Sequence, residues 1–97
     1  MAYRIIWSSQ AVDDVEAIAT YIARDSPSYA AAVVKKILDT VRTLEKDPDA
    51  GRTLIELTDS SIREQFAYSY RIIYQTQEDT ITIAAVIHGK RLLDFGV

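Results

Sequence analysis

The spacing of hydrophobic positions changes period twice along this chain. Tyr3, Ile5 and Trp7 alternate with Arg4 and Ser8 around Ile6, the two-residue period of a half-buried strand, which predicts a strand over residues 3–7. From there the period lengthens. Ala11, Val15, Ile18 and Ile22 follow one another at intervals of four, three and four, and so form one stripe of a 3.6-residue helix. Ser8 or Ser9 offers the N-cap oxygen, and Asp13, Asp14 and Glu16 put negative charge in the opening turns where the helix dipole favours it. The helix is expected to begin near residue 10 and to stop near Arg24–Asp25.

Ser26-Pro27 then reads as a second start, a capping serine followed by a proline whose missing N–H costs nothing at the first helical position. Ala30, Val33, Val34, Ile37, Leu38, Val41 and Leu44 share one face of this second helix, opposite Lys35, Lys36, Asp39 and Arg42. Two helices joined so tightly form a hairpin. Asp47-Pro48-Asp49-Ala50-Gly51 ends it, because the residue before a proline avoids helical angles and Gly51 adapts to the turn.

Beyond Gly51 the pattern returns to strands. Leu54–Leu57 and Ile62–Phe66 are short strand candidates separated by the turn-forming Thr58-Asp59-Ser60-Ser61. Tyr70–Gln75 alternates, with Tyr70, Ile72 and Tyr74 on one face. Thr80–His88 is apolar on both parities except at Thr80, Thr82 and His88, which predicts a central strand covered on both faces. Gln77-Glu78-Asp79 connects the two as a hairpin, and the tail Gly89–Val97 either extends the sheet or frays. Helices early and strands late imply an α+β fold in which an N-terminal strand and an α-helical hairpin pack on a C-terminal antiparallel sheet.

Composition narrows the class. At 97 residues, 48% hydrophobic and 26% charged, residues 1–97 are expected to form a single domain. The absence of cysteine removes disulfides, thiolate nucleophiles and cysteine-held metal sites. No apolar leader or spanning segment is visible, so a cytoplasmic protein without membrane contact is expected. A net charge of −3 and a pI near 5.0 speak against a protein that relies on a broad positive field to bind nucleic acid.

Few residues carry chemistry. His88 is the only histidine and follows the last strand, just before Gly89-Lys90-Arg91. It can serve as a general acid or base, or it can cap the strand through a bond between its ring and the backbone. Arg63 and Arg71, with Lys90 and Arg91, form either a compact basic patch able to hold phosphates or a set of salt bridges to Glu64, Glu56 and Asp94. Tyr70 and Tyr74 are expected in the core by their alternation, and Tyr68 in solvent. Asp13, Asp14 and Glu16 fit a dipole role better than a metal site, and no metal or other cofactor is expected. No P-loop, nucleotide-binding glycine motif, nucleophile elbow or zinc-helix motif occurs.

The order of Ile6-Trp7-Ser8-Ser9-Gln10-Ala11, Asp14-Val15-Glu16-Ala17-Ile18 with Tyr21-Ile22, Leu44-Glu45-Lys46-Asp47-Pro48 with Gly51-Arg52, Tyr70-Arg71-Ile72-Ile73-Tyr74 and Val86-Ile87-His88-Gly89-Lys90-Arg91 resembles the RelE/ParE superfamily of toxins from type II toxin–antitoxin modules. The resemblance covers nearly the whole chain and is closest to ParE. It implies the superfamily's compact fold and a cognate antitoxin whose extended or helical segment covers the helix hairpin and sheet edge, with Tyr21, Tyr29, Val33, Leu93 and Phe95 as candidate contacts. DNA would be touched only through that antitoxin.

The two branches differ in target. ParE-like members poison DNA gyrase, for which Arg63, Tyr68 and Lys90 are candidate target contacts here. RelE-like members cut messenger RNA on the ribosome, and Arg71 and Arg91 match catalytic arginines of that branch, with His88 as a third candidate. The acidic charge, the lack of a lysine cluster over Leu54–Ser61 and the lack of a tyrosine after Arg91 depart from the nuclease pattern. The expected function is therefore a gyrase-inhibiting toxin that stabilises a plasmid, with a ribosome-dependent endoribonuclease and a non-toxic antitoxin-binding member as alternatives.

Overall fold

The structure, a computed structural model, describes residues 3–90. β1 (Arg4–Trp7) leads into α1 (Ser9–Ala23) and α2 (Pro27–Leu44), followed by β2 (Arg52–Thr53), β3 (Ile62–Ala67), β4 (Tyr70–Gln77) and β5 (Thr80–His88). The five strands form one sheet in the order β1-β5-β4-β3-β2. β2 to β5 are antiparallel, while β1 lies parallel to β5 with Arg4 opposite Thr80 and Trp7 opposite Ile83. The helix hairpin covers one face, and the fold is the expected α+β arrangement.

Both helix starts are set by serines. The Ser8 hydroxyl accepts the Ala11 N–H at 3.0 Å, and the Ser26 hydroxyl accepts the Tyr29 N–H at 3.1 Å with Pro27 at the first helical position. From α2, Ala30, Val33, Ile37, Val41 and Leu44 are buried against Ile72, Tyr74, Ile81, Ile83 and Val86 of the sheet. Val34 and Leu38, expected on the same face, instead flank it and line a groove of about 780 Å³ between α1 and α2, together with Ala19, Ala23 and Ala31.

Two expectations about the strands change. Leu54–Leu57 is not a strand: Leu54 is buried, Ile55 is 93% exposed, and the segment closes as a turn with Leu57 N–H donating to the Leu54 carbonyl at 3.3 Å. Pairing in this region is confined to β2, where Arg52 and Thr53 face Glu64 and Arg63. In β5 the apolar run on both parities has a different origin from cover on two faces. The register with β4 slips between Ile73/Tyr74 and Ala85/Ile83, leaving Ala84 as a bulge that shifts the inward parity from Ile81 and Ile83 to Val86, while Ala84 and His88 stay exposed.

Candidate functional site

The end of the sheet where β3 turns into β4 and β5 terminates gathers the exposed chemistry. Register aligns Ala67, Tyr70 and His88 across three strands, on the helix-covered face shared with Ile72 and Val86. The Tyr70 and His88 rings meet edge to face, 5.7 Å between centroids at 77°. The tip of the helix hairpin lies over the same end and brings Tyr21 and Tyr29, 68% and 53% exposed. Tyr70 is held above the ordinary phenol range by burial first, and further by the neighbouring phenols of Tyr29 and Tyr21.

His88 is exposed, and its Nδ1 accepts the backbone N–H of Lys90 at 3.2 Å. The ring therefore caps the strand end, one of the two roles open to it from the sequence. Lys90 is exposed beside it. Tyr68 stands at the β3–β4 turn, 55% exposed with the ammonium of Lys36 5.9 Å from its ring centroid, and holds φ at 52°, a region bulky residues avoid. Between α1 and the end of β5 a groove of about 440 Å³ is lined by Asp14, Ala17, Ile18, Tyr21, Tyr70 and His88 among others.

The basic patch is not assembled among the described residues. Arg71 lies on the opposite sheet face, 4% exposed, with its guanidinium forked onto Glu56 at 2.8 and 2.9 Å and its Nε 2.5 Å from Glu64. Glu56 chiefly, and Glu64 as well, hold its pKa above the ordinary arginine value against the opposing effect of burial. Arg52 joins the network by donating to the second oxygen of Glu64 at 2.7 Å. Arg63 is at the far end of the sheet, paired with Tyr74 in register, donating to the Gly51 carbonyl at 3.0 Å and near Asp49. The salt-bridge reading holds for Arg71, with Glu56 and Glu64 as its carboxylates among the described residues, while Asp94 lies outside them. Burial inside this paired site is the reason it cannot join a surface patch.

Val33 needs the same correction. It is 0% exposed and packs in the core between α2 and the sheet, so it presents no surface to a partner, whereas Tyr21 and Tyr29 are exposed. Arg91, Leu93 and Phe95 lie outside the described residues.

Asp14, expected as a dipole acid, is a tertiary link: its carboxylate accepts the Val86 N–H at 2.9 Å and the Gln10 amide at 2.7 Å. The signal was its place beside Val15 on the flank of the apolar stripe, where an acid needs a donor. Lys36 on Tyr68 left no comparable trace, since nothing in the spacing ties α2 to the β3–β4 turn.

The chain is similar to proteins of one kind. The family described as ParE toxin of type II toxin–antitoxin system, parDE, matches residues 5–93. No curated protein matches the sequence. Among solved structures, that of the chromosomal ParDE toxin–antitoxin system from P. aeruginosa superposes with a TM-score of 0.75 at 20% identity, over 90% of this chain and 96% of that one. E. coli toxin RelE, solved as a mutant in the free state, gives 0.65 at 17% identity over 93% and 86%. The archaeal RelE–RelB complex from Pyrococcus horikoshii gives 0.64 at 18% over 95% and 100%. Likeness at such identity extends to the fold, while the family match spans the chain from β1 past β5, and on that match the chain belongs to the ParE family of toxins of type II toxin–antitoxin systems.

Proposed function

We propose that this toxin acts by binding DNA gyrase and trapping it, without chemistry of its own, and that a cognate antitoxin holds it inactive by covering the tip of the helix hairpin and the neighbouring sheet edge. The observation that carries this reading is the burial of Arg71. Cleavage of an RNA backbone needs cations that can reach a phosphate and stabilise its developing charge. Arg71 stands where the RelE branch has a catalytic arginine, yet it is 4% exposed and already forked onto Glu56. A phosphate would have to evict a bidentate carboxylate from a dry site, which removes several kcal/mol of pairing. The net charge of −3 removes the attraction to a polyanion as well.

A binding mode fits better. Tyr21, Tyr29, Tyr68 and Tyr70 lie at one end with Lys36, Lys90, His88 and Asp14 beside them, an aromatic surface of the kind protein partners use. No helix among the described residues is long and apolar enough to cross a membrane.

Induction of the chain alone in growing cells tests the target. Gyrase-dependent DNA breakage and altered plasmid supercoiling with intact transcripts are expected within minutes. Early cleavage of ribosome-bound transcripts would make it an endoribonuclease instead, and unimpaired growth would make it a non-toxic family member.

A further inference from the structure

We propose that the edge of β5 from Val86 to His88 receives one extended segment of the antitoxin, running parallel to β5 as a continuation of the line of β1. The inference rests on the antitoxin partnership proposed above and adds where, and in which direction, that partner enters.

β1 pairs with β5 only as far as Trp7 and Ile83. The chain then leaves the sheet for α1, and the next groups on that edge are met by side chains: Ser8 donates to the Ala84 carbonyl at 3.0 Å, and Asp14 accepts the Val86 N–H at 2.9 Å. The second bond sets the parity of everything after it. An N–H turned to Asp14 is turned away from β4, so Ile72 and Val86 are a non-hydrogen-bonded pair, Arg71 and Ile87 a bonded one, and Tyr70 and His88 again non-bonded. The bond from Gly89 N–H to the Ser69 carbonyl falls at the next bonded position and agrees. The Val86 carbonyl and the N–H and carbonyl of His88 therefore face the groove beside α1, and among the described residues nothing pairs with them.

Direction follows from which atoms are open. An antiparallel strand can close a pair of bonds at His88, but its next pair falls on Val86, whose N–H Asp14 already holds. A parallel strand needs the carbonyl of one residue and the N–H of the residue two further on. Val86 and His88 supply that combination. One peptide residue opposite Ile87 donates to the first and accepts from the second.

The side chains flanking that residue align with Val86 and His88 and enter the groove on the helix side, because alternate residues share a face. Ala17, Ile18, Tyr21 and Tyr70 line it, and its volume of about 440 Å³ leaves room for two apolar side chains. Asp14 at one end disfavours acidic ones. The fitting partner is an extended segment with apolar residues on either side of a tolerant position.

Amide hydrogen exchange of the full chain, alone and bound to its cognate antitoxin, tests the proposal. The His88 amide is expected to exchange freely alone and slowly in the complex. His88→Pro removes that N–H and His88→Ala keeps it. Because the N–H has no partner among the described residues, the two should melt alike, yet the proline variant should bind the antitoxin about ten-fold more weakly, the loss of one hydrogen bond. Equal affinities, or a His88 amide as exposed in the complex as alone, overturn the inference while leaving the antitoxin reading intact. A His88 amide already protected in the free chain overturns it too, because the edge is then occupied before the antitoxin arrives. Failure to form any complex overturns both. Should the proline variant not fold, exchange in the complex decides.

Discussion

The hydroxyl of Tyr74 accepts the backbone N–H of Gly51 at 3.0 Å, and the same hydroxyl donates to the Pro48 carbonyl at 2.7 Å. A wholly buried side chain of β4 thus holds the loop that ends the helix hairpin. A Cβ on Gly51 would stand inside contact distance of both the Tyr74 hydroxyl and the Glu64 carbonyl, so the glycine is there for close approach. Tyr74→Phe leaves a buried N–H and carbonyl without their partner and is expected to cost about 1–3 kcal/mol. In a chain of 97 residues that lowers Tm by roughly 5–20 °C, which thermal melting followed by circular dichroism would read. Gly51→Ala is expected to cost at least as much, because backbone must move.

The same phenol makes stability depend on alkaline pH. Burial raises the Tyr74 pKa, partly offset by the Gly51 N–H, and burial raises that of Tyr70. A folded pKa above the unfolded value of 10.0 means that the stabilisation is complete below about pH 10 and is lost as pH rises through the folded values. Melting temperature should stay flat on this account up to about pH 10 and fall above it. Tyr74→Phe should fall less steeply, with Tyr70 contributing the remainder. An identical slope in the variant would remove Tyr74 as the cause.

The helix hairpin was legible because its signals are local: two serine caps, Pro27 and an apolar stripe each act within a turn or two. Where a residue's fate depends on a distant partner, the pattern misled. Leu54–Leu57 looked like a strand, but Leu54 turns inward and Glu56 reaches Arg71, 15 residues on, so the segment follows an ion pair that no periodicity announces. Val33 sat correctly on the apolar face of α2, and its complete burial follows from how deeply that helix beds on the sheet. β5 was recognised as central, yet the bulge at Ala84 was hidden because small apolar residues fit either parity. At the candidate site, Tyr21 and Tyr29 were visible as surplus aromatics, while their meeting with Tyr70 and His88 required the tertiary fold.

Arg71 separates structural from functional loss. Arg71→Ala leaves Glu56 and Glu64 facing each other in a site 4–5% exposed at the arginine and Glu64 side chains, and is expected to cost about 3–5 kcal/mol. Loss of toxicity in that variant would say nothing about contact with a target. The triple change Arg71→Met, Glu56→Leu and Glu64→Leu removes the charges together and should recover most of the stability, since a buried ion pair replaced by apolar side chains of similar volume is often near neutral in energy. Growth arrest on induction of the triple variant is expected, with denaturant midpoints measured beside it. A stable triple variant that no longer arrests growth would make Arg71 a contact with the target.

Tyr68 and Glu78 offer a matched comparison, because both sit in tight turns between strands with φ of 52° and 57°. A left-handed conformation strains any residue with a Cβ, so glycine at either position should stabilise the fold by about 0.5–1 kcal/mol. At Glu78, in the β4–β5 turn far from His88, that gain should come with growth arrest unchanged. At Tyr68 part of the gain is offset by the lost contact with Lys36, and what remains is informative. An exposed aromatic in a strained turn gives the fold only its contact with Lys36, and its ring is 55% exposed at the end of the sheet assigned to the partner. Tyr68→Gly is therefore expected to match or exceed the parent chain in denaturant midpoint while losing growth arrest. A variant that is stable and still arrests growth would take Tyr68 out of the target surface and leave the aromatic end of the sheet to the antitoxin alone.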